Sequence, residues 1–208
     1  MNLRILMVLC MSFFNRSYAE NIEIVTINSP LQQILRIKTE DIQSHELPLA
    51  REIVEKLFLA LKPHLPAAGL AAPQIGISKS VFLFSFDRDP KHLEGVINPH
   101  LIPCGETKIE GWEGCLSVIL GNGSWKLAKI PRYETIKVRY LNTNGEIVEK
   151  VLDGFAAKVF QHEYDHLQGI VNIDREDAVV MDFTTEEEML LFMQQVKKED
   201  SLRYKRPT

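Results

Sequence analysis

Gln161-His162-Glu163-Tyr164-Asp165-His166-Leu167 is the stretch from which the rest of this chain can be read. Its two histidines are four residues apart. On a helix of about 3.6 residues per turn, positions i and i+4 share a face, so both imidazoles can converge on one cation. Glu163 follows the first histidine, where it can reach a water beside the cation without being a ligand. The flanks predict the helix. Asp153-Gly154 forms an entry, residues 155–160 are good helix formers with apolar spacing, and Gly169 suits a left-handed C-terminal cap. Phe155, Val159, His162 and His166 fall on one stripe, which turns the ligands inward. The plainer alternative is a pair of core histidines beside an exposed glutamate. A metal site needs a third protein ligand from elsewhere in the chain.

Cys115 is the candidate for that ligand. It stands in Gly111-Trp112-Glu113-Gly114-Cys115-Leu116-Ser117, between glycines and a strand-like run. One thiolate and two imidazoles leave a fourth position for water, as catalytic sites require. As a lone cysteine in an apolar stretch, Cys115 could also be a small buried residue, and Cys104, after Ile102-Pro103, competes as the ligand. With Cys10 there are 3 cysteines, which make no disulfide framework. Gln74 is a second polar candidate, set in the apolar, small-residue run Ala67-Ala68-Gly69-Leu70-Ala71-Ala72-Pro73-Gln74-Ile75-Gly76. It reads as a satisfied internal amide or as a donor aimed at a substrate oxygen.

Outward from these stretches the chain alternates strands and helices. Residues 22–27 are short, apolar and extended, and residues 31–37 contain a helical turn. Pro48 opens a helix whose stripe is Ile53, Val54, Leu57, Phe58 and Leu61, ended by Pro63 and Pro66. Residues 81–86 form a strand, and a second strand near residues 95–102 is interrupted by Pro99. Residues 136–141 and 146–151 flank Asn144-Gly145 as a hairpin compatible with a type I′ turn. Residues 170–175 leave the histidine helix as a short strand or loop. Thr185 and Glu188 make a capping box for a last helix with Met189, Phe192, Met193 and Val196 on its apolar face. Its end is basic: Lys197, Lys198, Arg203, Lys205 and Arg206.

At 208 residues, 45% hydrophobic and 25% charged, the chain holds one domain or one domain plus an appendage. A net charge of −4 argues against a general nucleic-acid binder. Residues 1–19 have a basic start, an apolar core and small residues at Ser17 and Ala19, the pattern of a secretory leader cut after Ala19. A mis-assigned start, with Met7 and Met11 available, or a packed N-terminal arm are the alternatives. Beyond it no segment is long and apolar enough to span a membrane. The expected division is therefore a leader or arm over residues 1–19, a catalytic domain over residues 20–183, and a helix with a basic tail over residues 184–208.

Three stretches together resemble the peptide deformylase family. That family carries Gly-x-Gly-x-Ala-Ala-Pro-Gln, Glu-Gly-Cys-Leu-Ser and Gln-His-Glu-x-Asp-His-Leu motifs in this order. The counterparts here are residues 67–74, 113–117 and 161–167, and the resemblance runs over about residues 22–180. Pro131-Arg132 and residues 169–175 are also similar. The resemblance, with the predicted elements, implies an α+β fold: antiparallel or mixed sheets around a central metal-binding helix, with one N-terminal and one C-terminal helix. It implies a metallohydrolase that removes the formyl group from N-formylmethionyl peptides and releases formate. Cys115, His162 and His166 would hold one divalent metal, Fe²⁺ by similarity, with Zn²⁺ or Ni²⁺ able to occupy the same site. The Gln74 amide and the Leu116 backbone N–H would meet the oxyanion, and Glu163 would carry the proton from water to the leaving amine. Gly69, Glu113 and Gly114 would bind the extended peptide, and Phe155, Val159 and the aliphatic part of Glu113 would line the methionine pocket. Asp165 and Gln161 either support the ligands or lie on the helix surface.

Two departures from the pattern stand out. The first glycine of the first motif is Ala67, and the family's Val-Pro pair after Ser117 is replaced by Val118-Ile119 and a longer loop. Two other classes compete. A zinc metallopeptidase would need a third His or Glu ligand and leaves Gln74 without work, and a non-catalytic relative would keep the metal for stability. The basic tail is a candidate for contact with the ribosome, although a solvated helix end is the better explanation of its charge. Deformylation of nascent chains implies the cytoplasm, whereas a cleaved leader implies export.

Overall fold

The computed structural model describes residues 22–119 and 123–203. The expected leader, the end of the basic tail with Lys205 and Arg206, and part of the loop after Ser117 lie outside them. Three α-helices are described: α1 (Leu47–Leu61), α2 (Gly154–Leu167) and α3 (Glu186–Arg203). The strands are β1 (Gly69–Ala71), β2 (Val81–Ser85), β3 (Leu93–Pro103), β4 (Lys108–Ile119), β5 (Trp125–Tyr133), β6 (Thr135–Leu141), β7 (Ile147–Asp153) and β8 (Val179–Phe183). They build a five-stranded sheet ordered β1-β2-β3-β6-β7 and a three-stranded sheet ordered β4-β5-β8. The expectation left antiparallel and mixed sheets open. Every strand pairing found is antiparallel.

The five-stranded sheet is covered on both faces. Phe82 and Phe84 of β2 point to α2, where each ring meets Phe160 edge-on at 5.0 and 5.4 Å. Val81 and Leu83 point the other way and pack with Leu57, Leu61 and Ile53 of α1. This is why β2 reads as an unbroken apolar run rather than an alternating one. Phe160 buried on the sheet leaves His162 and His166 on the other side of α2, facing Glu113 and Cys115 of the three-stranded sheet, while Glu163 lies over Gly69 of β1.

Several expectations change in detail. Residues 22–27 join no sheet. Val25 and Ile27 instead donate single backbone bonds to Gln74 O and Ser117 O. The strand near Pro99 is not interrupted but runs through as β3, with a register shift between Ile97 and His100. Asn98 there has φ +49 and clasps the backbone of Ile42 through both ends of its amide, at 2.8 Å each. Pro99 sits in that irregularity, where it removes no ladder bond. The hairpin turn is not type I′. Only Gly145 has positive φ, and its N–H donates to Asn142 O, which makes a type I turn followed by a left-handed glycine. Residues 170–175 hold a 3₁₀ turn, Asn172–Asp174, and no strand. The capping box at α3 is split: Glu188 N donates to Thr185 Oγ1, while the Glu188 carboxylate returns to the N–H and hydroxyl of Thr184.

Strands β1, β5 and β8 were not foreseen. β5 carries Pro131, which pairs with β4 but lies beyond the stretch of β5 that pairs with β8, so its missing N–H falls on an unpaired edge. β8 is exposed at all but Phe183 and shows no apolar alternation.

Candidate active site

The site lies where α2 meets the ends of β1 and β4. α2 delivers His162, Glu163 and His166. Its exit is fixed by Gly169 at φ +75, where a Cβ would lie 2.8–2.9 Å from the backbone of Arg36 and Ile37. β4 delivers Cys115 through a break in its ladder. Gly114 pairs with Leu127, yet the next paired residue is Ile119 with Trp125. Residues 115–118 are thereby released from β5. They are held instead by Ile27 N donating to Ser117 O at 2.9 Å and by packing of Cys115 and Val118 against Val25, Leu35 and Val171.

Cys115, His162 and His166 meet with their donor atoms all within 4.8 Å of one another. Cys115 Sγ is 3.3 Å from His166 Nε2, close to the roughly 3.5 Å expected between S and N ligands of one tetrahedral ion. The two rings stand at 83°, with centroids 5.0 Å apart. One soft thiolate and two imidazoles, buried or nearly so, fit a divalent transition metal. Cys104 is exposed and takes no part.

Glu113 lines the cavity and also supports a ligand. Its carboxylate is buried, accepting two hydrogen bonds from Arg132 at 2.9 Å each and one from His162 Nδ1 at 2.9 Å. That bond puts the Nδ1 proton toward Glu113 and leaves His162 Nε2 for the metal. Its role is therefore to orient a ligand. Burial alone would raise the Glu113 pKa, but Arg132 and His162 hold it well below the usual carboxylate range. Arg132 also binds Asp165, which is shared with Arg175 at 3.0 Å. Gln161 does not touch the ligands. It bonds both backbone groups of Tyr133, at 3.0 and 2.9 Å, and so docks α2 on β5.

Glu163 is 3% exposed, and its Oε2 has no hydrogen-bond partner among the described residues. Burial pushes its pKa up to about 7, with Glu113 adding and His162 and Arg132 opposing. Its side chain lies over Gly69, where a Cβ would come within 2.7 Å of Glu163 Cδ and 2.8 Å of Cγ. Gly69 is thus the floor on which Glu163 rests. Gln74 is fixed at its acceptor end by Ala71 N at 2.8 Å. This leaves Nε2 to reach Ser117 Oγ at 3.1 Å and Cys115 Sγ at 3.5 Å.

One cavity of about 360 Å³ opens on this cluster. Its lining includes Gly69, Gln74, Glu113, Gly114, Cys115, Leu116, Phe155, Val159, His162 and Glu163. Of the metal ligands, catalytic groups and peptide-binding residues that the resemblance implied, His166 alone is not among the cavity's lining, and it is 1% exposed. The sequence reading missed the Arg132 anchor and the clasp of residues 25–27 on Gln74 and Ser117. A buried arginine leaves no periodic signal, and backbone bonds leave no side-chain signature.

Comparison with known proteins agrees with this geometry. The family model described as polypeptide deformylase matches residues 22–181. A peptide deformylase of Thermotoga petrophila is 46% identical over 112 residues, 54% of this chain and 63% of that enzyme. The peptide deformylase 2 of Ralstonia nicotianae is 35% identical over 159 residues, 73% of this chain and 84% of the relative. Among solved structures, the Thermotoga maritima peptide deformylase superposes with a TM-score of 0.63 at 34% identity, covering 74% of this chain and 96% of the other. An Acinetobacter baumannii class I type b peptide deformylase bound to Met-Ala-Ser gives 0.64 at 28% identity, over 74% of this chain and 98% of that one. With its Cys-His-His cluster, its α+β fold and a family match across most of its length, this chain belongs to the polypeptide deformylase family.

Proposed function

We propose that the chain hydrolyses the N-formyl group of N-formylmethionyl peptides, releasing formate and a free N-terminal methionine. The observation that carries this reading is the convergence, on one cavity, of a Cys-His-His ligand set, an unpartnered buried Glu163 and the Gln74 amide. Cys115, His162 and His166 would hold a divalent metal, Fe²⁺ by family resemblance with Zn²⁺ or Ni²⁺ as substitutes, which would supply Lewis acidity and lower the pKa of water toward neutral pH.

The remaining chemistry belongs to the chain. Glu163 accepts the proton of the attacking water through Oε2 and returns it to the departing amine. Gln74 offers Nε2, locked by the Ala71 bond, to the oxygen that becomes negative, and the Leu116 N–H is its partner donor. Glu113 keeps His162 in the ligating tautomer. β1 and β4 are each the outer strand of their sheet, and Gly69 and Gly114 on them border the cavity, so an extended peptide can add along those edges. Partly buried Phe155 and buried Val159, both on the cavity, suit an unbranched apolar side chain.

The test is formate release from formyl-Met-Ala-Ser by protein loaded with Fe²⁺, Ni²⁺ or Zn²⁺ under reducing conditions, with metal content measured in parallel. Turnover with Fe²⁺ or Ni²⁺ is expected. Protein that leaves formylated peptides intact and cuts internal amide bonds would instead be a metallopeptidase.

A further inference from the structure

The family match ends at residue 181, before α3 begins. Yet α3 reaches the cavity, because Met189 and Met193 line it together with Trp112, Trp125 and Leu127. Met189 is buried with Leu127 and Phe183, and Met193, one helical turn on, packs partly buried against the same cluster. The helix is fastened in that position from both sides. At its start, Thr184 and Thr185 bind Glu188, and Met189 N donates to Thr185 O at 3.3 Å. Along its inner face, Phe192 meets Trp112 edge-on at 5.0 Å and Phe183 at 5.2 Å.

We infer that α3 is a working wall of the substrate cavity, and that Met193, seated on Met189, sets which apolar N-terminal side chain the enzyme accepts. This rests on the deformylase reading above. Phe155 and Val159 of α2 line the same cavity and are also apolar. In such a lining a flexible thioether fills an irregular gap and yields to another unbranched chain better than a branched or aromatic residue does. Leu191, on the outer face and 59% exposed, has no part in the cavity.

The experiment compares the metal-loaded full chain with its Met193→Ala, Met193→Phe and Leu191→Ala variants. Each is assayed on formyl-Met-Ala-Ser and on peptides with norleucine, alanine or phenylalanine in place of methionine. Met193→Ala is expected to raise KM for formyl-Met-Ala-Ser about tenfold, to leave kcat nearly unchanged and to improve the relative acceptance of phenylalanine. Met193→Phe should disfavour the longer side chains, and Leu191→Ala should match the parent. Binding gives a readout independent of turnover, since both of the chain's 2 tryptophans line the cavity. Their emission should change on titration with the product Met-Ala-Ser, with a weaker Kd in Met193→Ala. The inference is overturned if Met193→Ala and the parent share the same side-chain ranking within twofold and the same Kd. If the parent releases no formate from any peptide, the functional reading fails, and the fluorescence titration alone decides whether α3 walls a peptide site.

Discussion

At the scale of single residues, the site separates binding of the metal from movement of the proton. Cys115, His162 and His166 face one another, while Glu163 borders the cavity with one carboxylate oxygen unpartnered among the described residues. Glu163→Gln removes the base and keeps the shape. We expect metal content and melting temperature close to those of the parent, with kcat lower by about 10²–10⁴-fold. Cys115→Ala should lose bound metal as well as activity, which metal analysis will register. Gly69 tests the same arrangement from below. Its backbone is in no glycine-only conformation, so Gly69→Ala should fold. The added methyl must displace Glu163, because it would overlap that side chain. A shift of about 1 Å in a catalytic group costs roughly 10²-fold, so kcat should fall by about that factor while metal is retained.

At the scale of elements, a buried ionic network ties β4 and β5 to α2. Arg132 on β5 holds Glu113 on β4 and Asp165 on α2, and Glu113 in turn holds His162. Removing one member of such a group leaves its partners charged and buried, which costs about 3–5 kcal/mol. Arg132→Leu should therefore lower the denaturation midpoint by that equivalent and weaken metal retention through misorientation of His162. An unchanged midpoint would mean that the network can be dispensed with. The capping of α3 is a smaller term of the same kind. Replacing Thr185 by Ala removes the acceptor for Glu188 N and should cost about 1 kcal/mol, read in the same titration.

At the scale of the whole molecule, the metal ligands come from the two sheet systems' meeting point, Cys115 from β4 of one and the histidines from the helix packed on the other. Metal bound only to the folded state stabilises it by RT ln(1 + [M]/Kd), about 2.7 kcal/mol at a hundredfold excess over Kd. Stripping the metal with a chelator should lower the melting temperature of the parent and leave Cys115→Ala unmoved.

The sequence alone predicts the helix under His162 and His166, the cap at Gly169, the amphipathic α1 and the hairpin. Each rests on local spacing, since 3.6-residue periodicity, strand alternation and cap chemistry act between neighbours in the chain. The family resemblance then joined stretches that spacing alone could not. Tertiary structure decided the rest. It broke the β4 ladder after Gly114 so that Cys115 could turn to α2, and it paired Glu113 with Arg132 and His162. It set residues 25–27 as a clasp on Gln74 and Ser117, and it brought Met189 and Met193 to the cavity. These depend on contacts between residues far apart in sequence, where charge pairing and packing act through space and leave no periodic mark on the chain.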